Sequence, residues 1–233
     1  MMPYHAQDAF VAPARAGSAL WRLGLGLVLV TIVYLASMAA FLGVMAGVFG
    51  LSQGMARLSS GDSPLGTLII LASFVGMGIG PLLAARFVHR RPLWSLFGPW
   101  ARLRRHFLLA AGLCALIYGA SALVPVTVVA EPHHPLGLWL SLLPLALLGV
   151  LLQTGAEEVL FRGYIQTQLA ARFASPMVWM VLPSALFAVL HYQPDVYGAH
   201  ALAVVGTVFL FALLAADLTA RTGSIGAAWG FHS

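Results

Sequence analysis

Long intervals without any charged side chain divide this chain, and they restrict it to a membrane-spanning helical fold. The intervals run between residues 22 and 57, 62 and 86, 105 and 131, 131 and 157, 172 and 195, and 195 and 217. Each has room for an apolar helix of about 20 residues, the length that crosses a bilayer. Only 8% of the residues are charged and the mean hydropathy is +0.92, whereas soluble domains carry roughly 25% charged residues.

We therefore predict an all-α fold, a polytopic transmembrane helical bundle with about six complete spans and a partial seventh after Arg221. Residues 19–233 are predicted to form a single transmembrane domain, and residues 1–18 a poorly ordered cytoplasmic tail. The first apolar run is longer than a signal-peptide core, so we expect it to be a retained helix. A single cysteine, Cys114, excludes a disulfide framework within the chain.

The distribution of arginine predicts the orientation, because positive charge is enriched in cytoplasmic loops. All twelve basic residues are Arg, and only Arg57 falls on the far side if the N-terminus is cytoplasmic. We therefore expect a multi-pass protein of the cell (plasma) membrane, in contact with the lipid bilayer. The basic segment 86–106 contains Trp94, Phe97 and Trp100. Aromatic residues beside Arg are typical of bilayer surfaces, so no nucleic-acid partner is predicted.

Two adjacent acidic residues, Glu157 and Glu158, interrupt an apolar segment in a chain with only seven acidic residues. Ionised carboxylates at membrane depth are costly unless they are paired or hydrated, so they are functional candidates. On a helix, Glu158 and Arg162 lie one turn apart and can form an ion pair. Glu157 is rotated by about 100° and is left to face a cavity. The alternative is an interfacial charge cluster at the end of the fourth helix.

A hairpin argument connects Glu157 with His191. Arg172 and Ser175-Pro176 predict a turn centred near residue 174, and Glu157 and His191 lie equally far from it along the chain. At 1.5 Å per residue, each would be about 25 Å from the turn, at the same depth in the membrane. A lone His on an apolar helix is more often a core residue, which stays the alternative for His191.

A second histidine, His232, can join the same cavity. If a helix begins at Ser224, a good N-cap residue, His232 lies about two turns into it. Because only about ten residues of this last helix are present, we expect the natural protein to be longer. A carboxylate with two His residues can activate a water molecule, or it can bind Zn²⁺ with one position open. Either chemistry indicates hydrolysis of an amide within the membrane.

The motifs of other protease classes, such as His-Glu-x-x-His and Gly-x-Ser-x-Gly, are absent. The ordered motifs Glu157-Glu158-x-x-x-Arg162, Phe187-x-x-x-His191 and Thr222-Gly-Ser-Ile…His232 resemble those of the CPBP intramembrane proteases. That family includes the type II CAAX prenyl endopeptidases and the bacterial bacteriocin-processing and immunity proteins. The resemblance covers about residues 140–233. This chain departs from the family at its end, where the family usually continues His-x-x-x-Asn/Asp.

The resemblance implies an endopeptidase that cleaves a membrane-associated protein or peptide substrate. Glu157 would be the water-activating base, assisted by His191, with Glu158 and Arg162 in support. His232 would stabilise the oxyanion or bind a metal. The cofactor stays open: zinc or another divalent metal bound by Glu157, His191 and His232, or a glutamate mechanism without metal.

Two functions of other classes use the same residues. A non-catalytic immunity or regulatory membrane protein would bind a peptide in the same cavity. A small-solute transporter would use the buried Glu–Arg–His set as a proton relay. Many transporters contain inverted repeats, which this sequence lacks. No sequence feature predicts the oligomeric state.

Overall fold

The computed structural model describes residues 4–60, 63–121, 123–124 and 135–233. Within these ranges the chain is helical and contains no β-strand, so the predicted all-α fold class is confirmed. The predicted outer loop around residues 131–134 lies outside the described residues.

The α-helices are connected by short turns and by segments of tighter or wider helix. In chain order the α-helices are α1 His5–Arg15, α2 Leu20–Phe49, α3 Leu51–Ser60, α4 Pro64–Ser73, α5 Val75–Leu83, α6 Trp100–Ser121, α7 Leu136–Glu158, α8 Thr167–Ala170, α9 Leu182–Val189, α10 Pro194–Tyr197, α11 Ala201–Thr222 and α12 Gly226–His232. The π-helical turns are Ala84–Val88, Val159–Gln166 and Met177–Val181, and the 3₁₀ turns are Leu93–Leu96 and Gly198–His200.

Several helical segments match the predicted spans and indicate an integral multi-pass membrane protein. Within the described ranges, five are long and apolar enough to cross a membrane, namely Leu20–Phe49, Pro64–Val88, Leu93–Ser121, Leu136–Ala170 and Pro194–Thr222. The predicted fifth span is instead a shorter apolar helix, Met177–Val189. This helix ends at Val189, and the next helix, α10, begins at Pro194, whose fixed φ suits the first position of a helix. The partial seventh span corresponds to α12.

The N-terminal segment is ordered by packing, so the prediction of a poorly ordered tail is wrong for α1. Phe10 and Ala14 are buried and lie one turn apart on the same helix face. Just before α1, the hydroxyl of Tyr4 donates to Asp217 Oδ1 of α11 at 2.9 Å. The sequence signal was weak because the amphipathic pattern spans only three turns and Pro13 interrupts it.

A buried polar cluster joins the turn before α2, the segment after α5 and the π-helical turn Val159–Gln166. His89 Nδ1 donates to the carbonyl of Gly17 at 2.9 Å, and its Nε2 accepts from the hydroxyl of Tyr164 at 2.7 Å. Burial lowers the pKa of His89. Tyr164 can lie against α2 only because Gly26 has no side chain there, since a Cβ atom would overlap the Tyr164 hydroxyl. The cluster thereby fixes the π-helical turn against α2.

Candidate functional site

The two acidic residues lie inside a continuous helical segment and not at its end. α7 ends at Glu158, and the π-helical turn continues the same segment to Ala170. Glu157 and Glu158 are buried, with 6% and 0% of their surface exposed. The alternative of an interfacial charge cluster placed these residues at the end of the fourth helix, whereas the helical segment continues past them. Wide turns of this kind occur frequently at functional sites.

The predicted ion pair between Glu158 and Arg162 is present. Arg162 Nη1 donates to Glu158 Oε1 at 2.9 Å, and the guanidinium is only 2% exposed. Arg162 Nη2 donates to the carbonyl of Ala212 at 3.3 Å. The Arg162 Cζ atom also lies 4.8 Å from the ring centroid of Phe187 and 6.0 Å from that of Phe211. One carboxylate, one carbonyl and two aromatic faces therefore stabilise this buried cation.

His232 connects the two glutamates. Its Nδ1 lies 2.9 Å from Glu158 Oε1, and its Nε2 lies 3.5 Å from Glu157 Oε2. An ionised carboxylate only accepts hydrogen bonds, so a ring N–H donates at such a contact. The ring centroid of Phe211 lies 4.7 Å from that of His232 and holds the imidazole from the side of α11. The last helix therefore contributes a residue to the charged cluster of α7.

The start of α12 differs from the prediction. The helix begins at Gly226 and its N-cap is Ile225, with no side-chain cap, so the prediction of Ser224 as N-cap is wrong. Gly223 has a φ of +67°, and the turn that follows buries Ser224 against Gly98. The Ser224 hydroxyl is buried and has no hydrogen-bond partner among the described residues, so it does not cap α12.

His191 lies just beyond the end of α9 and is half-buried. Its Nδ1 is 2.8 Å from the carbonyl of Phe187, which accepts, so Nδ1 carries the proton. In a neutral ring, Nε2 then has a free lone pair. The ring of Phe187 lies 4.7 Å from His191 and 6.0 Å from His232. Among the described residues no hydrogen bond joins His191 to Glu157.

Two residues of the cluster were missed by the sequence analysis. Gln153 Nε2 donates to Glu157 Oε1 at 3.5 Å from one helical turn before it. The i,i+4 spacing of Gln153 and Glu157 is a signal that could have found this contact. Phe211 contacts both Arg162 and His232, but it lies in the apolar stretch 208–216 of α11, and no pattern distinguishes it from its neighbours.

The metal site that the sequence left open is not formed by the side chains of the described residues. Within the described ranges, no group of three or more His, Cys, Asp or Glu residues is arranged to hold a metal ion. Of the set Glu157, His191 and His232, both ring nitrogens of His232 face carboxylates. His191 Nδ1 bonds to a backbone carbonyl. A zinc site of the His₂Glu type needs these three groups to converge on one point, and they do not.

Residues 137–233 match the family model described as Type II CAAX prenyl endopeptidase Rce1-like. This C-terminal segment is therefore similar to the Rce1-like family. It contains all the residues of the charged cluster. The match confirms the resemblance to the CPBP intramembrane proteases that the sequence motifs indicated. The match supports a protease of the CAAX type within the membrane, and hence a hydrolase.

A second similarity covers nearly the whole chain, beyond residues 137–233. The chain is 25% identical over 237 residues to the "Uncharacterized protein YyaK" of Bacillus subtilis (strain 168), covering 97% of this chain and 79% of that protein. No solved structure matches the chain significantly.

An apolar cavity of about 460 Å³ lies beside the charged cluster, between α5, α7 and α12. Its wall includes Gly155 and Ala156, which directly precede Glu157, and Trp229 of α12. Gly155 allows this packing, since a Cβ atom there would come within 2.8 Å of the Trp229 ring. An apolar group in this cavity would lie next to the helix turn that carries the two glutamates.

Proposed function

We propose that this protein is an intramembrane endopeptidase that hydrolyses a peptide bond in a membrane-associated protein or peptide of the CAAX type. The observation that carries the proposal is the cluster of the buried Glu157, Glu158 and Arg162 with the half-buried His232 within apolar helices. Ionisable groups at membrane depth are rare and mark functional sites. The Rce1-like match supports peptide hydrolysis as the reaction class.

The contacts of the two glutamates support different roles. Glu158 accepts from Arg162 and His232 at 2.9 Å each, so we assign it to holding those two side chains in place. Glu157 has longer contacts, at 3.5 Å, with Gln153 and His232. A carboxylate with weak partners can exchange one of them for water, so Glu157 is the general base.

The proposed reaction begins with a water molecule held between Glu157 and the Nε2 lone pair of His191. The water oxygen attacks the carbonyl carbon of the scissile bond while Glu157 takes one water proton. The oxyanion formed accepts a hydrogen bond from His232 Nε2, whose 3.5 Å contact with Glu157 leaves it able to turn. The C–N bond then breaks, and Glu157 returns its proton to the leaving nitrogen.

The proposed reaction does not use a metal ion, because the side chains of the cluster are engaged with one another. A strong chelator should therefore leave the hydrolysis rate unchanged, and added zinc should not raise it. If the chelator abolished hydrolysis and added zinc restored it, this part of the proposal would be contradicted.

We also propose that residues 19–233 form one transmembrane domain with the N-terminus and residues 86–106 on the cytoplasmic side of the cell membrane. The distribution of arginine supports this orientation. In a Cys114→Ala background, an Arg104→Cys variant should react with an impermeant thiol reagent only after the cells are opened. Labelling of this cysteine in intact cells would show that the orientation is the opposite of the one proposed.

The experiment for the activity uses the purified full chain in liposomes with a peptide that ends in a prenylated Cys-a-a-X sequence. Wild type should cleave it, and Glu157→Ala should not. The same peptide without its prenyl group should react more slowly if an apolar group enters the cavity beside Gly155. Binding of the peptide without cleavage by wild type would favour the non-catalytic peptide-binding alternative.

A further inference from the structure

A second apolar cavity, of about 540 Å³, lies where the chain between α5 and α6 packs against α12. It is lined by Trp94, Phe97, Gly98, Trp100, Leu103 and Trp229. Trp94 and Trp100 are 77% and 72% exposed, so the rings that line the cavity also face outward. Exposed tryptophans of this kind are enriched at the level of the lipid headgroups.

The same part of the chain carries positive charge without acidic partners. The exposed arginines of this segment are Arg86, Arg90, Arg102, Arg104 and Arg105. Among the described residues, none of them forms an ion pair with an acidic residue. By contrast, Arg91 is buried, and it donates to Ser95 and Thr167. The exposed arginines are therefore available for a negatively charged partner.

α6 carries both lining residues of the cavity and exposed arginines. Arg104 lies one helical turn after Trp100, so both side chains project from the same helix face. Trp100 and Leu103 line the cavity, and Arg104, the next residue after Leu103, is exposed. An apolar space therefore adjoins a guanidinium group at the surface of the bundle.

We propose that this cavity binds one anionic phospholipid, with an acyl chain between the aromatic rings and the phosphate at Arg104. The unpaired arginines select a negatively charged headgroup over a zwitterionic one. The apolar lining selects a lipid over a free phosphate, which would leave the cavity empty. This site does not include the charged residues of α7, although Phe97 and Trp229 line both cavities, and it does not depend on the proposed protease activity.

The bound lipid would also support the last helix. Trp229 of α12 lines the cavity, and its Nε1 donates to the carbonyl of Leu151 in α7 at 3.2 Å. An acyl chain packed on the open side of the indole therefore holds α12 against α7. We expect the anionic lipid to raise the melting temperature of the detergent-solubilised protein, and a zwitterionic lipid to do so much less.

The test titrates the full chain in detergent with phosphatidylglycerol or phosphatidylcholine of the same acyl chains and counts bound lipid by native mass spectrometry. One phosphatidylglycerol should bind about tenfold or more tightly than phosphatidylcholine, and Arg104→Gln should weaken it about fivefold. Trp100→Ala should weaken both lipids. Arg172→Gln, at an exposed arginine far along the chain from the cavity, is the matched control and should bind like wild type.

Three results would overturn the proposal. Equal affinity for the two lipids would remove the role of charge. An equal loss of affinity in Arg104→Gln and Arg172→Gln would show attraction by net charge without a site. Displacement of phosphatidylglycerol by an equal concentration of soluble glycerol 3-phosphate would identify a phosphate site instead of a lipid site. Matching melting temperatures of the lipid-free variants would establish that they are folded.

Discussion

Replacing Glu158 by Gln is expected to destabilise the fold far more than the same substitution at Glu157. Glu158 is fully buried and accepts hydrogen bonds from Arg162 and His232 at 2.9 Å each. A neutral amide at this position would leave the buried Arg162 guanidinium without its ion-pair partner. Removing one member of a buried ion pair typically costs about 3–5 kcal/mol.

That free energy can be measured as a melting temperature. For a chain of this size, 1 kcal/mol corresponds to about 2–4 °C, so Glu158→Gln should lower the melting temperature by roughly 6–20 °C. Glu157→Gln keeps the side-chain volume and loses only contacts of 3.5 Å. Its melting temperature should stay within about 2 °C of wild type.

The assay compares both variants in one detergent, by thermal unfolding and by hydrolysis of one prenylated peptide. Glu157→Gln should be stable and inactive, and Glu158→Gln should be unstable with lowered activity. The double variant Glu158→Gln/Arg162→Met removes both charges and should recover part of the lost stability. Equal melting temperatures of the two single variants would refute the reasoning. So would a stable, inactive Glu158→Gln beside an active Glu157→Gln, which would reverse the two roles.

Three further predictions concern other parts of the molecule. Gly26→Ala should destabilise by about 1–3 kcal/mol because its methyl group would overlap the Tyr164 hydroxyl. The control Gly24→Ala, which points into open space in the same helix, should be neutral or slightly stabilising in thermal unfolding. Burial lowers the pKa of His89, so the unfolded chain takes up its proton first as the pH falls. Stability should therefore decrease as the pH drops through about 6.5, and His89→Asn should show a smaller decrease in melting temperature. His191→Ala should lower kcat by about 10²–10⁴-fold with an unchanged melting temperature, which peptide hydrolysis kinetics can measure.

Charge spacing predicted the helices well, because each membrane-spanning helix must exclude charge over its whole length. It could not predict that the fifth apolar interval forms only the short helix Met177–Val189, since hydropathy does not report where a helix breaks. It also missed α1, whose three turns are stabilised by packing against α8 and α11 and not by their own pattern.

The site was predictable to the extent that it depends on helix periodicity. The spacing of Glu158 and Arg162 predicted their ion pair, which is present. Residue spacing could not predict the proximity of His232 to both glutamates, because that proximity depends on how α12 packs against α6 and α7. For the same reason, the sequence left open whether the His residues converge with Glu157 as metal ligands.

The most direct test of the central claim is hydrolysis of the prenylated peptide in ¹⁸O-labelled water, followed by mass spectrometry of the products. The account predicts that wild type cleaves one peptide bond and incorporates one ¹⁸O atom into the new carboxylate. Glu157→Gln, folded and bound to the same peptide, should release no product. Turnover by Glu157→Gln at the wild-type rate would contradict the assignment of Glu157 as the base that activates water.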